Sequence, residues 1–212
     1  MAKPYIVGLG GTTRAGSSTQ RALSTALHAA SQKGADTLLV CGSDLDLPTY
    51  TPGAGTLALG AQRIVAELRR ADGIILGTPG YHGGISGFVK NALDYTEELK
   101  SDQRPYLEGR AVGCIVTAAG SQGATATLIA LRSVVHALRG WPTPLGAAIV
   151  TANPVFDAAG NCLSPRIETQ LKVIARQVFD FAALQMKAAS GPQNSVHVAF
   201  EQTLPAPGVS SL

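Results

Sequence analysis

Apolar and polar residues alternate along this chain in two different rhythms. Five short runs are almost entirely apolar, which is typical of strands that helices cover on both faces of a sheet. These runs occupy residues 5–9, 35–42, 73–78, 111–119 and 146–152. Because glycine lies at or beside a boundary of each run, the sequence predicts five short buried β-strands.

Between these runs, apolar residues recur at intervals of three and four, which is typical of helices with one buried face. Helices are predicted from about residue 17 to 33, around residues 61–68, over 88–100, and from about 126 to 138. A long final helix carries the stripe Ile167, Leu171, Ile174, Val178, Phe181 and Leu184, which we assign mostly to the core. Strands and helices therefore alternate along the whole chain.

This alternation predicts an α/β fold with an open parallel sheet and helices on both faces. Glycine-rich loops follow the first, third and fourth predicted strands, near residues 10–16, 79–84 and 118–123. Parallel sheets bind ligands beyond the carboxyl ends of their strands, where these three loops lie. We therefore expect the loops to converge on one site.

Composition is consistent with this fold. The chain has 212 residues, of which 45% are hydrophobic and 15% charged, with a formal net charge of +3. One domain is predicted over residues 1–189, followed by a mobile tail over 190–212. The mild charge argues against nucleic acid, and neither a membrane span nor a secretory signal is recognised, so a cytoplasmic location is predicted. Three cysteines without paired spacing give little support for zinc or disulfides.

The first loop, GLGGTTRAGSST at residues 8–19, raises the question of which phosphate it binds. A nucleoside-triphosphate P-loop is excluded, because no lysine lies between Lys3 and Lys33. A dinucleotide-binding loop is weakly supported, since Thr13 stands where the third glycine belongs. In that case an acidic residue of the loop after the second strand would bind the ribose; Asp44 and Asp46 are the two candidates.

A third interpretation is a site for a terminal phosphate monoester. Hydroxyl groups and the guanidinium of Arg14 would bind the anion at the N-terminus of the following helix. The hydroxyl residues are Thr12, Thr13, Ser17, Ser18 and Thr19. Taken alone, the loop fits equally well a helix capped by Ser17 or Ser18 with Arg14 in solvent.

Two further loops strengthen the phosphate interpretation through a family resemblance. GGTTRAGSSTQRAL resembles the phosphate loop Gly-Ser-x-Arg-x-x-Ser of NAD(P)H-dependent FMN reductases, with matches at Gly11, Arg14 and Ser17. Thr12 replaces the usual serine, and Thr19 stands where asparagine is common. The resemblance extends over roughly residues 4–189.

The second loop carries the more specific match. TPGYHGGISGFVKNALDY is similar to the family pattern Pro-x-Tyr-x-x-x-x-Pro-Gly-x-x-Lys-Asn-x-x-Asp. The matching residues are Pro79, Tyr81, Gly87, Lys90, Asn91 and Asp94. Gly80, His82 and Ser86 depart from the residues common in the family, and AAGSQGAT resembles its third flavin loop.

The resemblance implies a flavodoxin-like, three-layer α/β/α fold with a five-stranded parallel sheet and a bound FMN. The implied phosphate contacts are Thr12, Arg14, Ser17, Ser18 and Thr19. The second loop would lie against the isoalloxazine ring through Pro79, Gly80, Tyr81, His82, Gly83 and Gly84. The third loop would contact the ring edge through Ala118, Ala119, Gly120, Ser121 and Gly123.

The same resemblance implies that NADPH or NADH donates hydride to FMN and that reduced flavin passes electrons onward. The acceptor could be free flavin for a partner monooxygenase, a quinone, an azo compound or a metal oxyanion. No catalytic side chain and no metal are expected, because the flavin carries the chemistry. A flavodoxin-type electron carrier and an NAD-binding oxidoreductase without flavin are the alternatives.

The family commonly forms homodimers or homotetramers, so we expect self-association, with Phe88 and Tyr95 as interface candidates. Lys90 and Asp94 are spaced for an i,i+4 ion pair on a helix surface. Trp141 is assigned to packing, and His82 to a solvent-facing loop.

Overall fold

The computed structural model, which describes residues 2–53 and 55–190, packs helices on both faces of one sheet. The strands are β1 (Tyr5–Gly10), β2 (Asp36–Val40), β3 (Gly73–Tyr81), β4 (Gly84–Ile85), β5 (Ala111–Ala118), β6 (Trp141–Pro142) and β7 (Ala147–Val150). The helices are α1 (Ser18–Gln32), α2 (Leu59–Arg70), α3 (Gly87–Asp94), α4 (Ser121–Ala137) and α5 (Pro165–Ser190). The predicted tail beyond Ser190 lies outside the described residues.

The sheet has the order β2-β1-β3-β5, with β6 and β7 both pairing with the outer side of β5. These pairs are all parallel, and only the two-residue β4 runs antiparallel, to β3. With β6 and β7 counted as one interrupted strand, this is the strand order 2-1-3-4-5 of flavodoxin-like sheets. The predicted fold is confirmed, and β4 and β6 are additions that the sequence did not predict.

Alternate residues of the strands lie in two separate hydrophobic cores, one on each face of the sheet. Ile74 and Leu76 of β3 pack beneath α2, α3 and α4, whereas Ile75 packs beneath α1 and α5. All three side chains are fully buried. This burial on both faces explains why the strands read as continuous apolar runs.

Two helix boundaries differ from the prediction. The predicted helix over residues 88–100 ends at Asp94 and continues as a 3-10 helix over Tyr95–Leu99. α4 begins at Ser121, inside the stretch predicted as a loop, with Gly120 as its N-cap. Glycine and serine favour loops, but Ala124 and Thr127 are buried, and this packing outweighs the local preference.

The long stripe of α5 is only partly a core feature. Leu171, Ile174 and Val178 are fully buried, as predicted, but Leu184 is exposed. The predicted packing role of Trp141 is also limited, because its side chain is 60% exposed and contacts Phe181 at a ring distance of 6.3 Å. Across the described residues, no helix is both long and apolar enough to cross a membrane.

Candidate functional site

The first glycine-rich loop begins at the end of β1, where its backbone directly contacts β3. The amide of Gly11 donates to the carbonyl oxygen of Gly77 at 2.9 Å. Gly10 has a φ of +139°, and a Cβ on it would lie 1.8 Å from that same oxygen. Because no side chain fits there, the loop can approach β3 only with glycine at position 10.

Hydrogen bonds within the first loop fix its shape. Thr12 Oγ1 lies 3.2 Å from both the amide nitrogen and the carbonyl oxygen of Arg14. The amide of Gly16 donates to Gln20 Oε1 at 2.8 Å. Ser17 Oγ accepts from the amide of Gln20 at 3.3 Å and so caps α1. The capping alternative is therefore correct for Ser17, whose hydroxyl proton is not used by this bond.

The loop also presents donors that the protein itself does not use. Within residues 2–53 and 55–190, no hydrogen-bond acceptor is found for the amides of residues 12, 13, 15, 17, 18 and 19. The exposed side chain of Arg14 likewise makes no hydrogen bond or ion pair with a described residue. Amides at a helix N-terminus carry partial positive charge. The loop is therefore arranged to bind an anion.

Thr19, a predicted phosphate contact, lies differently from the rest of the loop. Its side chain is 1% exposed, and its Oγ1 lies 2.6 Å from Oγ1 of Thr117 at the end of β5. The hydroxyl therefore already has a protein partner, while the neighbouring Ser18 is half-buried. Contact of phosphate with the Thr19 hydroxyl stays a prediction.

The second loop is a tight β-hairpin between β3 and β4. Gly80 pairs with Ile85 and Tyr81 with Gly84, so that His82 and Gly83 form a two-residue turn. Their φ angles are +52° and +78°, as such hairpin turns require. This geometry exposes the Tyr81 ring and the His82 imidazole, which agrees with the predicted solvent-facing position of His82.

The third loop is shorter than predicted and lies against the hairpin. Only residues 119 and 120 separate β5 from α4, so Ser121 and Gly123 belong to the first helical turn. A Cβ on Gly80 would lie 2.8 Å from Thr127 Oγ1 and 3.3 Å from the Cβ of Ala118. The absent side chain of Gly80 thus allows the second and third loops to pack together.

The first and second loops meet across a cleft of about 400 Å³. Its lining residues are Thr12, Thr13, Arg14, Tyr81, Ser86 and Phe88. Pro79 is buried behind it at the end of β3. The structure thus brings the three predicted loops to the carboxyl edge of the sheet, as the sequence predicts.

A second groove, of about 560 Å³, continues from this cleft along α3. Tyr81, Ser86 and Phe88 line both cavities. Lys90 and Asp94 lie on the groove's α3 side and form the predicted ion pair at 2.5 Å, with both side chains exposed. The cleft is therefore open to solvent on the side of α3.

Asn91 and Tyr95 attach the segment before α2 to α3. The Asn91 side chain accepts from the amide of Tyr50 at 2.8 Å and donates to the carbonyl oxygen of Pro48 at 2.9 Å. Tyr95 is 3% exposed and donates to the same carbonyl oxygen at 2.9 Å. Tyr95 is therefore a core residue, and its assignment to an interface is wrong, whereas Phe88 is 43% exposed.

Buried threonines beneath the loops are functional candidates that the sequence pattern did not predict. Thr78 Oγ1 accepts from the amide of Ser86 at 3.0 Å, and Thr127 Oγ1 donates to the carbonyl oxygen of Gly84 at 3.4 Å. Thr117 bonds with Thr19 as described above. Thr78 closes the apolar run 73–78, and Thr117 is the one polar residue of the run 111–119. Each lies next to a glycine-rich loop, and this single polar position is the signal that could have identified them.

Two of the cysteines lie near or beneath this region but are unsuited to nucleophilic chemistry. Burial and the nearby Asp44 carboxylate raise the pKa of the Cys41 thiol, which lies beside Gly11. Burial in the core raises the pKa of Cys114 to about 12. Both thiols are therefore protonated near pH 7, and the thiolate needed for attack is scarce.

This arrangement agrees with a known family. The family model for NADPH-dependent FMN reductase matches residues 4–154 of the chain. The chain belongs to the NADPH-dependent FMN reductase family. The matched range includes all three glycine-rich loops.

The FMN-dependent NADPH-azoreductase of Staphylococcus aureus is 34% identical to this chain over 102 residues. That alignment covers 48% of this chain and 50% of the azoreductase. The chain thus spans about half the length of the curated relatives that it matches.

Solved structures confirm the flavodoxin-like fold. An apo NADH:FMN oxidoreductase superposes with a TM-score of 0.64 at 19% identity, covering 86% of this chain and 90% of the other. The NAD(P)H:acceptor flavoenzyme FerB of Paracoccus denitrificans superposes with a TM-score of 0.61 at 17% identity, covering 86% and 98%. A WrbA-like flavodoxin of Agrobacterium tumefaciens superposes with a TM-score of 0.58 at 18% identity, covering 87% of this chain and 99% of the other.

The residues of this family member fit FMN at both ends of the site. The loop amides and the Arg14 guanidinium, which have no partner among residues 2–53 and 55–190, suit a phosphate dianion. Gly83 and Gly84 have no side chain that would keep a flat ring from the hairpin backbone. The donor set of the first loop holds no lysine, so it suits a monophosphate better than a nucleoside triphosphate.

Proposed function

We propose that this protein is an NADPH-dependent flavin reductase that binds FMN at the carboxyl edge of its sheet. The observation that carries the proposal is the set of donors at residues 12–19 that find no acceptor among the described residues, in a loop whose residues 12–14 line one cleft with the hairpin residue Tyr81. An anion site and a flat, backbone-lined wall together suit a phosphorylated flavin. Family membership supports the same cofactor.

The first loop would bind the phosphate through its free amides, the hydroxyls of Thr12, Ser17 and Ser18, and Arg14. Several such bonds are needed, because a single exposed helix terminus contributes only about 0.3–1 kcal/mol. Arg14 adds a charge-assisted bond from a planar group that matches phosphate oxygens. Thr12 and Gln20 hold the loop in shape before the ligand arrives, which reduces the entropy lost on binding.

The second and third loops would hold the ring. In the hairpin, Gly83 has no side chain to cover the backbone of the turn, and within the described residues the amides of residues 121–123 at the start of α4 have no acceptor. Donors of this kind stabilise negative charge on an electron-rich ring. Pro79, Ala118, Ala119 and Gly120 would complete the wall.

Bound FMN would supply the hydride-accepting and electron-transferring chemistry, with NADPH as donor. The protein's own residues bind, orient and shield, and hydride transfer itself needs no acid or base from the chain. The protonated thiols of Cys41 and Cys114 agree with this assignment. Tyr81, exposed at the rim of both cavities, would border the open face and stack against a flat substrate.

The acceptor belongs to the same proposal. The exposed aromatic rim and the open groove beside α3 suit flat conjugated molecules such as quinones, azo compounds or a second flavin. The name of the Staphylococcus aureus relative supports the azo class. The family resemblance also implies two other acceptors: a metal oxyanion, and free flavin that is released in reduced form to a monooxygenase.

We further propose self-association through the surface around Phe88, as a dimer or tetramer. Phe88 and Tyr81 are 43% and 55% exposed, and both line the cleft. Burying such aromatics against a second copy would shield the cleft from water. A cytoplasmic location is supported by three free cysteines, which a reducing compartment maintains.

Anaerobic stopped-flow spectroscopy tests the proposed activity. Purified protein loaded with FMN is mixed with NADPH, and loss of the flavin absorbance near 450 nm is followed, with NADH compared in parallel. A reductase bleaches the flavin rapidly and turns over repeatedly when a quinone or an azo dye is added. Stable binding of FMN without bleaching by either nucleotide would instead identify an electron carrier, and no FMN binding would reject both.

A further inference from the structure

A pair of buried hydroxyls connects the first loop to the third. Thr19 Oγ1 and Thr117 Oγ1 lie 2.6 Å apart although the residues are 98 positions apart in sequence. Their side chains are 1% and 5% exposed. Neither hydroxyl has another hydrogen-bond partner among the described residues, so each depends on the other for satisfaction.

The pair joins α1, the helix that follows β1, to β5, a strand that does not adjoin β1 in the sheet. Thr19 lies in the first turn of α1, two residues after the cap of the phosphate loop, and Thr117 lies immediately before Ala118 of the third loop. β3 runs between β1 and β5. α1 crosses β3 closely enough that a Cβ on Gly77 would lie 2.8 Å from Leu23. This close crossing allows Thr19 to reach β5.

The other buried threonines act on different contacts. Thr78 holds the start of α3 to β3, and Thr127 holds the hairpin to α4. Only Thr19–Thr117, among the described hydrogen bonds, connects the phosphate loop's own helix with the end of β5 that leads into the third loop.

We propose that Thr19 and Thr117 are positioning residues that set the distance between the phosphate end and the ring end of the cofactor site. The inference rests on the proposed binding of FMN, and it assigns Thr19 an indirect role instead of a phosphate contact. A ligand that spans both loops depends on their spacing. A ligand that uses only the ring end does not.

Binding of FMN and of riboflavin, which lacks the phosphate, tests this inference by isothermal titration calorimetry. Thr19→Val and Thr117→Val keep the side-chain shape and remove one hydroxyl each. We expect each to weaken FMN about 5- to 10-fold, the size of one lost hydrogen bond, and to leave riboflavin affinity unchanged. The double variant is expected to be no weaker than either single variant, because both changes break the same bond.

Matched variants separate positioning from general damage to the fold. Thr19→Ser and Thr117→Ser keep the hydroxyl and are expected to retain FMN affinity. Thr96→Val removes another buried hydroxyl, one that donates to the carbonyl oxygen of Leu93 at 2.7 Å in the segment after α3. It is expected to lower the melting temperature without changing the ratio of FMN to riboflavin affinity.

The outcomes are distinct. Weaker FMN binding in Thr19→Val alone would show a direct phosphate contact and overturn the positioning role, as would equal losses for FMN and riboflavin. If Thr19→Val does not fold, Thr117→Val alone still tests the role, since Thr117 lies outside the predicted phosphate contacts. Failure of the unaltered protein to bind FMN would overturn the proposed function and this inference with it.

Discussion

At the scale of single residues, absent side chains determine where the loops of this protein lie. Gly10 allows the first loop to touch the backbone of β3, and Gly80 allows the hairpin to touch α4. A side chain at either position would meet neighbouring atoms within 3.0 Å. The close contacts at these two glycines therefore fix where the loops lie, and with them the polar groups that the loops carry.

Substitution of Gly10 by alanine is expected to destabilise the protein strongly. The new Cβ would lie 1.8 Å from the Gly77 carbonyl oxygen, so β1 and β3 must separate. Gly34→Ala is the matched control, because Gly34 also has a positive φ, +103°, but no atom within 4 Å of the added Cβ. The control reports the backbone cost alone, about 1–2 kcal/mol.

Urea unfolding followed by circular dichroism measures both variants. Gly10→Ala is expected to lose more than Gly34→Ala by about 2 kcal/mol or more, a size reached when a core contact is disrupted. Equal losses for the two variants would show that the contact between Gly10 and Gly77 relaxes freely and does not define the loop.

Residue types alone predicted much of the site but not the partners of each group. Of the residues that line the cleft, Thr12, Arg14 and Tyr81 are among the predicted cofactor contacts, whereas Thr13, Ser86 and Phe88 are not. It did not predict that Thr19 would bond with Thr117, because that contact depends on how closely α1 crosses β3. Tyr95 was assigned to the surface because aromatic residues suit both interfaces and cores, and only the fold decides between them.

At the scale of elements, the ends of helices are held by side chains from distant parts of the chain. Arg110 is 1% exposed, and its guanidinium donates to the carbonyl oxygens of Arg69 and Ala71 at 2.9 Å each. These carbonyls lie at the C-terminal end of α2, where helices leave acceptors unpaired. Burial lowers the pKa of Arg110 to about 10, which still leaves it charged near pH 7.

Replacement of Arg110 by methionine is expected to lower the free energy of unfolding by about 1–3 kcal/mol, because buried carbonyl oxygens lose their donors. Arg63→Met is the control, since Arg63 forms an exposed ion pair with Asp44 and surface changes stay within about 0.5 kcal/mol. FMN affinity should not change in the Arg110 variant, because this residue lies at the amino end of β5. A stability loss no larger than the control's would contradict the capping role.

Element type and order followed from hydrophobic pattern, whereas several boundaries did not. The five apolar runs became the parallel sheet because burial on both faces imposes such composition. The start of α4 was missed because Gly120, Ser121 and Gly123 locally favour a loop, and packing of Ala124 decided otherwise. The β4 strand was missed because a two-residue strand has no periodicity to detect.

At the scale of the whole molecule, the topology explains why loops that are widely separated in sequence lie at the same edge of the sheet. Loops from the ends of β1, β3 and β5 meet at one edge because the strands are parallel and adjacent. The opposite edge carries the charged cluster around Arg110 and has none of the three glycine-rich loops. The proposed chemistry is thus assigned to one end of the sheet.

The central claim is that a monophosphate is bound by the first loop and a flat ring by the other two. Calorimetry of cofactor-free protein with FMN and with riboflavin tests both parts. We expect FMN to bind about 10- to 100-fold more tightly than riboflavin, a range that charge-assisted hydrogen bonds to phosphate supply.

The same titration with Arg14→Ala is the most direct measurement, with Lys187→Ala as the control for loss of one positive charge at the opposite edge. The account predicts that Arg14→Ala loses most of the preference for FMN and keeps its riboflavin affinity, while Lys187→Ala behaves like the unaltered protein. An unchanged preference in Arg14→Ala, or equal affinity of the unaltered protein for the two flavins, would contradict it.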